Sequence, residues 1–284
     1  MIIGNKYLLI HKIGSGSFGA VYKGKNIRTN ELVAIKVEPN NCKTKILKNE
    51  AKIYQFLGNE VGFPQIKWFS VDFNNSYLVI DLLGDSLSDY KKRTNIISYN
   101  SIIEIACQMI NIIEILHNKD LIHRDLKPDN FLFNNNNNLC LIDFGFCRKY
   151  RDSQGNHIVN KPTSSLIGTP LFVSLFVHNK GQPSRRDDLE SILYIILYLM
   201  NKLEWVNVNV NVNVNVNVNV NVNVNVNVNL LEKNEITNDA IIKMKEDIIF
   251  STKMPLNIIN LIIYCRNLKF DECPDYKFIK NHLI

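Results

Sequence analysis

The hydrophobic period of the chain changes near Gly84, and few architectures accommodate that change. Upstream, residues 7 to 37 alternate apolar and polar positions between glycines, as YLLIHKIG, AVYKGKNI and ELVAIKVE. A period of two belongs to strands, so twisted antiparallel strands joined by glycine turns are expected here. A helical stretch follows at about 44–57, with Ile46, Leu47, Ile53, Tyr54 and Leu57 roughly on one face. Two more strand-like runs, IKWFSVDF and SYLVIDLL, lead to Gly84. Beyond it, residues 100–117, 187–200 and 256–268 read as helices. A strand-rich first third before a helix-rich remainder predicts an α+β chain of two lobes, joined near residues 81–85.

Two segments depart from this scheme. Asn134 to Asn138 is a run of five asparagines and reads as a solvated turn. Twelve Val-Asn pairs fill 206–229. At ~3.3 Å per residue that tract would make a strand roughly 80 Å long, which nothing in a domain of this size can pair. A surface loop is expected, with self-association as the other reading, because uncharged alternating segments are aggregation-prone.

Composition sets bounds. The 284 residues are 46% hydrophobic and 21% charged, an ordinary globular balance that excludes a mainly disordered chain. Asparagine (41) and isoleucine (37) exceed a quarter of the residues together, and their A/T-rich codons point to nucleotide bias rather than chemistry. The net charge, 33 − 27 = +6, suits nucleotides or acidic peptides but is too small to argue nucleic-acid binding. The six cysteines form no CxxC pair, so reduced thiols in a cytosol-like compartment are expected. The N-terminus lacks the basic start and apolar stretch of a signal peptide, and no apolar run reaches the ~20 residues that span a bilayer. The expectation is a soluble cytoplasmic monomer with no membrane partner.

The residues that carry chemistry fall in four places. Ile13-Gly14-Ser15-Gly16-Ser17-Phe18-Gly19-Ala20-Val21 is a glycine-rich hairpin between two strands, able to lay backbone N–H groups over a triphosphate; its alternative is a merely flexible turn. Lys36, in the strand-like Val33-Ala34-Ile35-Lys36, can pair with Glu50 on the next helix and aim its ammonium at α and β phosphates. Ile122-His123-Arg124-Asp125-Leu126-Lys127-Pro128-Asp129-Asn130 holds residues with complementary roles in phosphoryl transfer. Asp125 can orient and accept the proton of an attacking hydroxyl, Lys127 can balance charge on the moving phosphoryl group, and Asn130 can ligate magnesium. Thirteen residues further on, Asp143 in Ile142-Asp143-Phe144-Gly145 offers a second hard oxygen ligand.

With these motifs the chain resembles the eukaryotic protein kinase family, over nearly all of its length. The resemblance implies a two-lobed protein kinase fold, with an N-lobe at 1–83 and a C-lobe at 84–284 that carries the 206–229 insertion. Lys127, two residues after Asp125, resembles the serine/threonine pattern, and Thr169 after Gly168 is similar to the activation-segment threonine that contacts the catalytic Asp and Lys. Four stretches resemble the casein kinase I family: Lys43-Thr44-Lys45, Leu82 to Leu87, Asp143 to Asp152, and Ser184 to Ser191. The closing CRNLKFDECPDYKFIK does so too, whereas Val177 to Gly181 is similar to vaccinia-related kinases, a sister branch.

The resemblance further implies ATP and Mg2+ as cofactors. Adenine would lie at a hinge through Asp81, Leu82 and Leu83, with Ile80 behind it and Ala34 and Val21 nearby. Asp188 would anchor the catalytic loop. Protein substrates would carry Ser or Thr near acidic or phosphorylated residues, drawn by an anion pocket of Arg124, Arg148, Arg185 and Arg186. Two departures bear on that pocket: Gly168-Thr169-Pro170-Leu171-Phe172 replaces the family's Gly-Thr-Ala-Arg-Tyr, and the Val-Asn tract contains no Lys or Arg. The chain ends about where such a core would, which implies regulation without a tail. The rival reading is a pseudokinase or scaffold, which would show damage at Lys36, Asp125, Asn130 or Asp143; all four are intact.

Overall fold

The computed structural model describes residues 1–16, 19–41, 45–94, 96–203, 205 and 230–283. Ser17, Phe18, Cys42, Lys43, Thr44 and the Val-Asn tract at 206–229, on which several expectations fell, lie outside the described residues. The alternating segments become β1 (Ile2–Ile3), β2 (Tyr7–Gly16), β3 (Gly19–Asn26), β4 (Leu32–Pro39), β5 (Ile66–Val71) and β6 (Asn75–Asp81). Among the described residues they form one antiparallel sheet in the order β1-β2-β3-β4-β6-β5.

Alternation sorts the side chains of this sheet onto two faces. Val33 and Ile35 turn to one side and close a small core with Ile3, Tyr7, Tyr77 and Val79. Their neighbours Ala34 and Lys36 turn to the other. Cross-strand register brings Val21 opposite Lys36, Lys36 opposite Leu78 and Ala34 opposite Ile80, so these five side chains share the face toward the second lobe.

Helix α1 (Leu47–Leu57) starts three residues later than the sequence pattern suggests. Ile46 is its N-cap and has no side-chain bond to offer. Glu38 of β4 takes that role from a distance, its carboxylate accepting from the backbone N–H of Ile46 (3.0 Å) and Leu47 (3.3 Å). An anion there satisfies otherwise unpaired donors and suits the helix dipole. The helix buries Leu47, Ala51, Ile53, Tyr54 and Leu57, and with them Glu50.

The second lobe is built from α2 (Leu87–Thr94), α3 (Tyr99–Asn118), the short α4 (Leu175–His178), α5 (Arg185–Leu199), α6 (Leu230–Asp247), α7 (Leu256–Asn267) and α8 (Tyr276–Leu283). Every residue from Leu189 to Leu197 is buried, which makes α5 the central helix. Fully buried Ile or Leu side chains contribute about 1.5–3 kcal/mol each, so this helix anchors the lobe. By length and composition α3 is apolar enough to cross a membrane, contrary to the expectation above. Its Ile102, Ile105, Met109, Ile112, Ile113 and Leu116 instead enter the core that α5 and α8 share.

Between the lobes, the segment leaving β6 is tied down at once. The Gly84 N–H donates to Phe133 O (2.8 Å) and the Phe133 N–H to Asp85 O (3.0 Å). Phe133 closes β8 (Phe131–Phe133), which pairs with β9 (Leu139–Leu141). The asparagine run turns that hairpin: the Asn134 side-chain oxygen accepts from the N–H of Asn136 and Asn138, an internal turn in which Asn135 to Asn138 stay exposed. A further pair, β7 (Leu121–Ile122) with β10 (Arg148–Lys149), brackets the loops that hold the candidate site residues.

Candidate active site

Two loops meet beneath the sheet. The first leaves β7 at His123 and ends in a 3-10 turn at Pro128–Asn130; the second leaves β9 at Ile142 and turns at Phe144–Phe146. Each contains one non-glycine residue in the left-handed region, Arg124 (φ 72°) and Asp143 (φ 66°). Such conformations are unfavourable for L-residues and persist only where surroundings impose them. Here the surroundings are visible. Asp188 of α5 accepts the N–H of His123 (2.8 Å, Oδ2) and Arg124 (2.9 Å, Oδ1). The His123 ring reaches across to Ile142 O (3.1 Å), and Arg124 Nε donates to Phe146 O (2.5 Å). Phe144 is fully buried against the rings of Tyr54, Phe63 and His123. That packing couples α1 to both loops.

Asp188 is anchored in turn by a buried His117. With the ring neutral, His117 Nε2–H donates to Asp188 Oδ2 (3.1 Å) and Nδ1 accepts the Tyr276 hydroxyl (2.7 Å). Burial pushes the His117 ring below its ordinary pKa, which keeps it neutral. Burial would raise Asp188, but the hydrogen bonds from His117 and Arg124 outweigh it and hold the carboxyl low.

The reactive groups converge on this frame. Asp125, 5% exposed, accepts the Thr169 hydroxyl at Oδ1 (2.6 Å) and the Lys127 ammonium at Oδ2 (2.9 Å). Lys127 Nζ also approaches Thr169 Oγ1 (3.4 Å), so the three side chains close a triangle. Asn130 donates its amide to Asp125 O (2.9 Å), which leaves its side-chain oxygen as the atom able to ligate a cation. Gly168 (φ 99°) brings Thr169 in: a Cβ there would sit 2.5 Å from Arg124 O, so only glycine lets the segment approach.

Lys36 bridges the lobes. Its Nζ lies 2.7 Å from Glu50 Oε2 and 2.8 Å from Asp143 Oδ1. Burial alone would lower the Lys36 pKa, but the two carboxylates reverse the effect and hold the ammonium charged. Asp143 is pushed up by burial and pulled further down by Lys36, so it stays ionised. Replacing Lys36 by methionine leaves Glu50, 2% exposed, without its counter-charge. The expected loss is about 2–3 kcal/mol in urea unfolding, below the ~3–5 kcal/mol of a fully buried pair because Lys36 is only partly enclosed. Adding Glu50→Gln is expected to restore most of it.

The other expected residues fall as follows. Gly14, Ser15, Gly16, Gly19 and Ala20 lie on the β2–β3 hairpin, with Ile13 exposed. Val21, Ala34 and Ile80 share the sheet face with Lys36, and Asp81 and Leu83 form the connection between lobes. Arg148 is exposed on β10, near Arg124. Arg185 and Arg186 are not placed as an exposed anion pocket. Arg185, 4% exposed, donates to Asp271 O (2.6 Å) and Tyr150 OH (3.3 Å). Arg186 donates to Leu268 O and stacks on the Phe176 ring. Each guanidinium ties the C-terminal segment to α5 through a backbone carbonyl. An open cavity of about 500 Å³ lies beside the hinge, lined among others by Glu31, Phe63, Asp81, Asn135 and Cys140. None of Val21, Ala34, Lys36, Asp125 or Asp143 borders it, so it stands apart from the reactive groups.

Some side chains packed around the site were not anticipated from sequence: Tyr54, whose hydroxyl accepts the Asp143 N–H (3.4 Å), and His117, Trp205 and Lys245. Lys245 did leave a signal. It falls four residues after Ile241 and three before Ile248, on a buried helical stripe where a lysine is out of pattern.

The protein kinase domain model matches residues 7–269. The chain therefore belongs to the protein kinase family, the phosphotransferases that act on proteins, and its curled sheet over a larger helical part is the two-lobed α+β kinase fold.

Proposed function

We propose that the chain is a working serine/threonine protein kinase of casein kinase I type, which transfers the ATP γ-phosphoryl group to Ser or Thr hydroxyls of proteins. The observation that carries this reading is the closed Asp125–Lys127–Thr169 triangle, present together with the Lys36–Glu50 ion pair. The residues suit the cofactors. Val21, Ala34 and Ile80 offer an apolar face for adenine, and Lys36 a fixed cation for phosphates. Asp143 and Asn130 supply two hard oxygens, which suits a magnesium ion that takes its other ligands from phosphate and water. Magnesium, when bound, neutralises charge on the phosphates. Asp125 orients the acceptor hydroxyl and takes its proton, and Lys127 screens the phosphoryl charge.

Acidic or phosphorylated neighbours in the substrate would meet Arg148 and Lys149, both exposed on β10, rather than Arg185 and Arg186. Exposed ion pairs contribute ~0–1 kcal/mol, so the preference for a phospho-primed peptide is expected to stay within roughly fivefold. Radiolabel transfer from ATP with magnesium to casein, an acidic Ser peptide and its primed form tests both parts. Transfer with weak priming supports the reading. A folded protein that binds ATP without transferring phosphate is the scaffold of the rival reading, and a priming preference above a hundredfold overturns the role given to β10.

A further inference from the structure

Lys245 and Trp205 take no part in the chemistry above, yet both end on the segment that follows Thr169. Lys245, on α6, has no exposed surface. Its ammonium donates to Pro170 O (2.8 Å) and Val173 O (2.7 Å) and lies 3.1 Å from His178 Nδ1. Trp205 Nε1–H donates to Leu171 O (2.9 Å). Three carbonyls within four residues are thus fixed by two side chains from outside the segment. The rings of Tyr194 and Trp205 flank the ammonium, with centroids 5.2 and 5.7 Å away.

Lys245 is itself braced. Its backbone oxygen accepts from Arg266 Nη2 (2.7 Å), and Arg266 Nε lies 2.9 Å from Glu190 Oε1 on α5. Glu190 also accepts the Tyr194 hydroxyl (2.5 Å). Burial pushes the Lys245 pKa down to about 7, with Glu190 opposing and Arg266 assisting. Burial and Lys245 together push His178 down to about 4, so its ring is neutral and available as an acceptor. In the protonated form of Lys245 the three N–H bonds of the ammonium then meet three acceptors. An apolar side chain would fill this space without desolvating a charge. What the lysine adds is a fixed position for the carbonyls of 170–173.

On its opposite side the same segment meets the catalytic loop. Gly168 lies against Arg124 O, and Thr169 bonds Asp125 and approaches Lys127. We propose that Lys245 and Trp205 are positioning residues for phosphoryl transfer: a clamp on the carbonyls of Pro170, Leu171 and Val173 that seats Thr169 on Asp125 and shapes the edge met by the acceptor peptide. The inference rests on the reading of the chain as a working kinase.

Trp205→Phe and Lys245→Met in the full chain test it, with steady-state transfer to a Ser peptide measured beside binding of a non-hydrolysable ATP analogue. Each substitution is expected to lower kcat/KM for the peptide at least tenfold while the analogue's Kd stays within twofold. A merely structural role would not split the two. Amide hydrogen exchange at 169–173 is expected to rise at least tenfold, with the β2–β4 strands unchanged. If Lys245→Met does not fold, Trp205→Phe decides, since it removes the Nε1–H donor together with the smaller indole ring and keeps a six-membered aromatic ring in place. An active wild type whose variants stay within twofold in both kcat/KM and exchange overturns the clamp. A wild type without transfer overturns the kinase reading instead, and the exchange comparison still decides whether the clamp exists.

Discussion

Asp125→Asn is expected to lower the rate of phosphoryl transfer by about 10²–10⁴-fold, the range over which a positioned general base contributes. The substitution keeps the shape of the side chain. One oxygen can still accept from Thr169 or Lys127, but the other becomes an amide that faces a donor. Lys127 then loses the anion that fixes it, and an acceptor hydroxyl loses the base that would take its proton. Nucleotide affinity is expected to change less than threefold, because Lys36, Glu50 and the sheet face are untouched. Single-turnover transfer beside equilibrium nucleotide binding checks both. A variant that transfers within tenfold of wild type would remove Asp125 from the mechanism.

Asp188→Ala is expected to cost about 4 kcal/mol or more. Asp188 accepts from the N–H of His123, the N–H of Arg124 and the ring of His117; Asp188, His117 and His123 are buried and the Arg124 bond is partly so. Each buried donor left unsatisfied costs about 1–3 kcal/mol, and among the described residues the three bond no other acceptor. Arg124 would also lose the bond that holds its left-handed backbone, so the folded fraction is expected to transfer phosphate ~10²-fold more slowly through a displaced Asp125. Urea unfolding and kcat measured on the same preparation separate the two effects.

The same cluster sets an acid limit. His117 is held below its ordinary 6.5, so the unfolded chain binds more protons than the folded one once pH falls through that value. Stability contributed by the neutral ring is complete above 6.5 and declines below it. Asp188, with its pKa depressed, adds a second loss at lower pH, below the ordinary 3.8.

How much of this was legible beforehand follows from which forces are local. The strands β2 to β6, the helices α3, α5 and α7 and the polar residues of the two loops could be read directly, because hydrophobic period and motif spacing are written along the chain; the two-residue β1 is too short to leave a period. Lys36, Asp125, Asn130 and Asp143 could be singled out as candidates for the same reason: phosphoryl transfer would need such groups, and few arrangements along a chain supply them. The start of α1 was misjudged by three residues because its cap is Glu38, a strand residue that reaches the helix only once β4 is folded beside it.

Arg185 and Arg186 show the complementary failure. Their sequence setting is compatible with an anion pocket, and nothing local reveals that their guanidiniums end on Asp271, Tyr150 and Leu268, more than thirty residues away. Lys245 is the converse case, a charged residue on a buried stripe whose partners are the carbonyls of a distant loop. The sequence by itself determined the family, the element types and the chemical inventory, since these depend on residue identity and spacing. Only the tertiary structure decided which charges face solvent, which stay buried and what each one holds. That outcome depends on desolvation and on partners far along the chain, and both exist only after the lobes have closed.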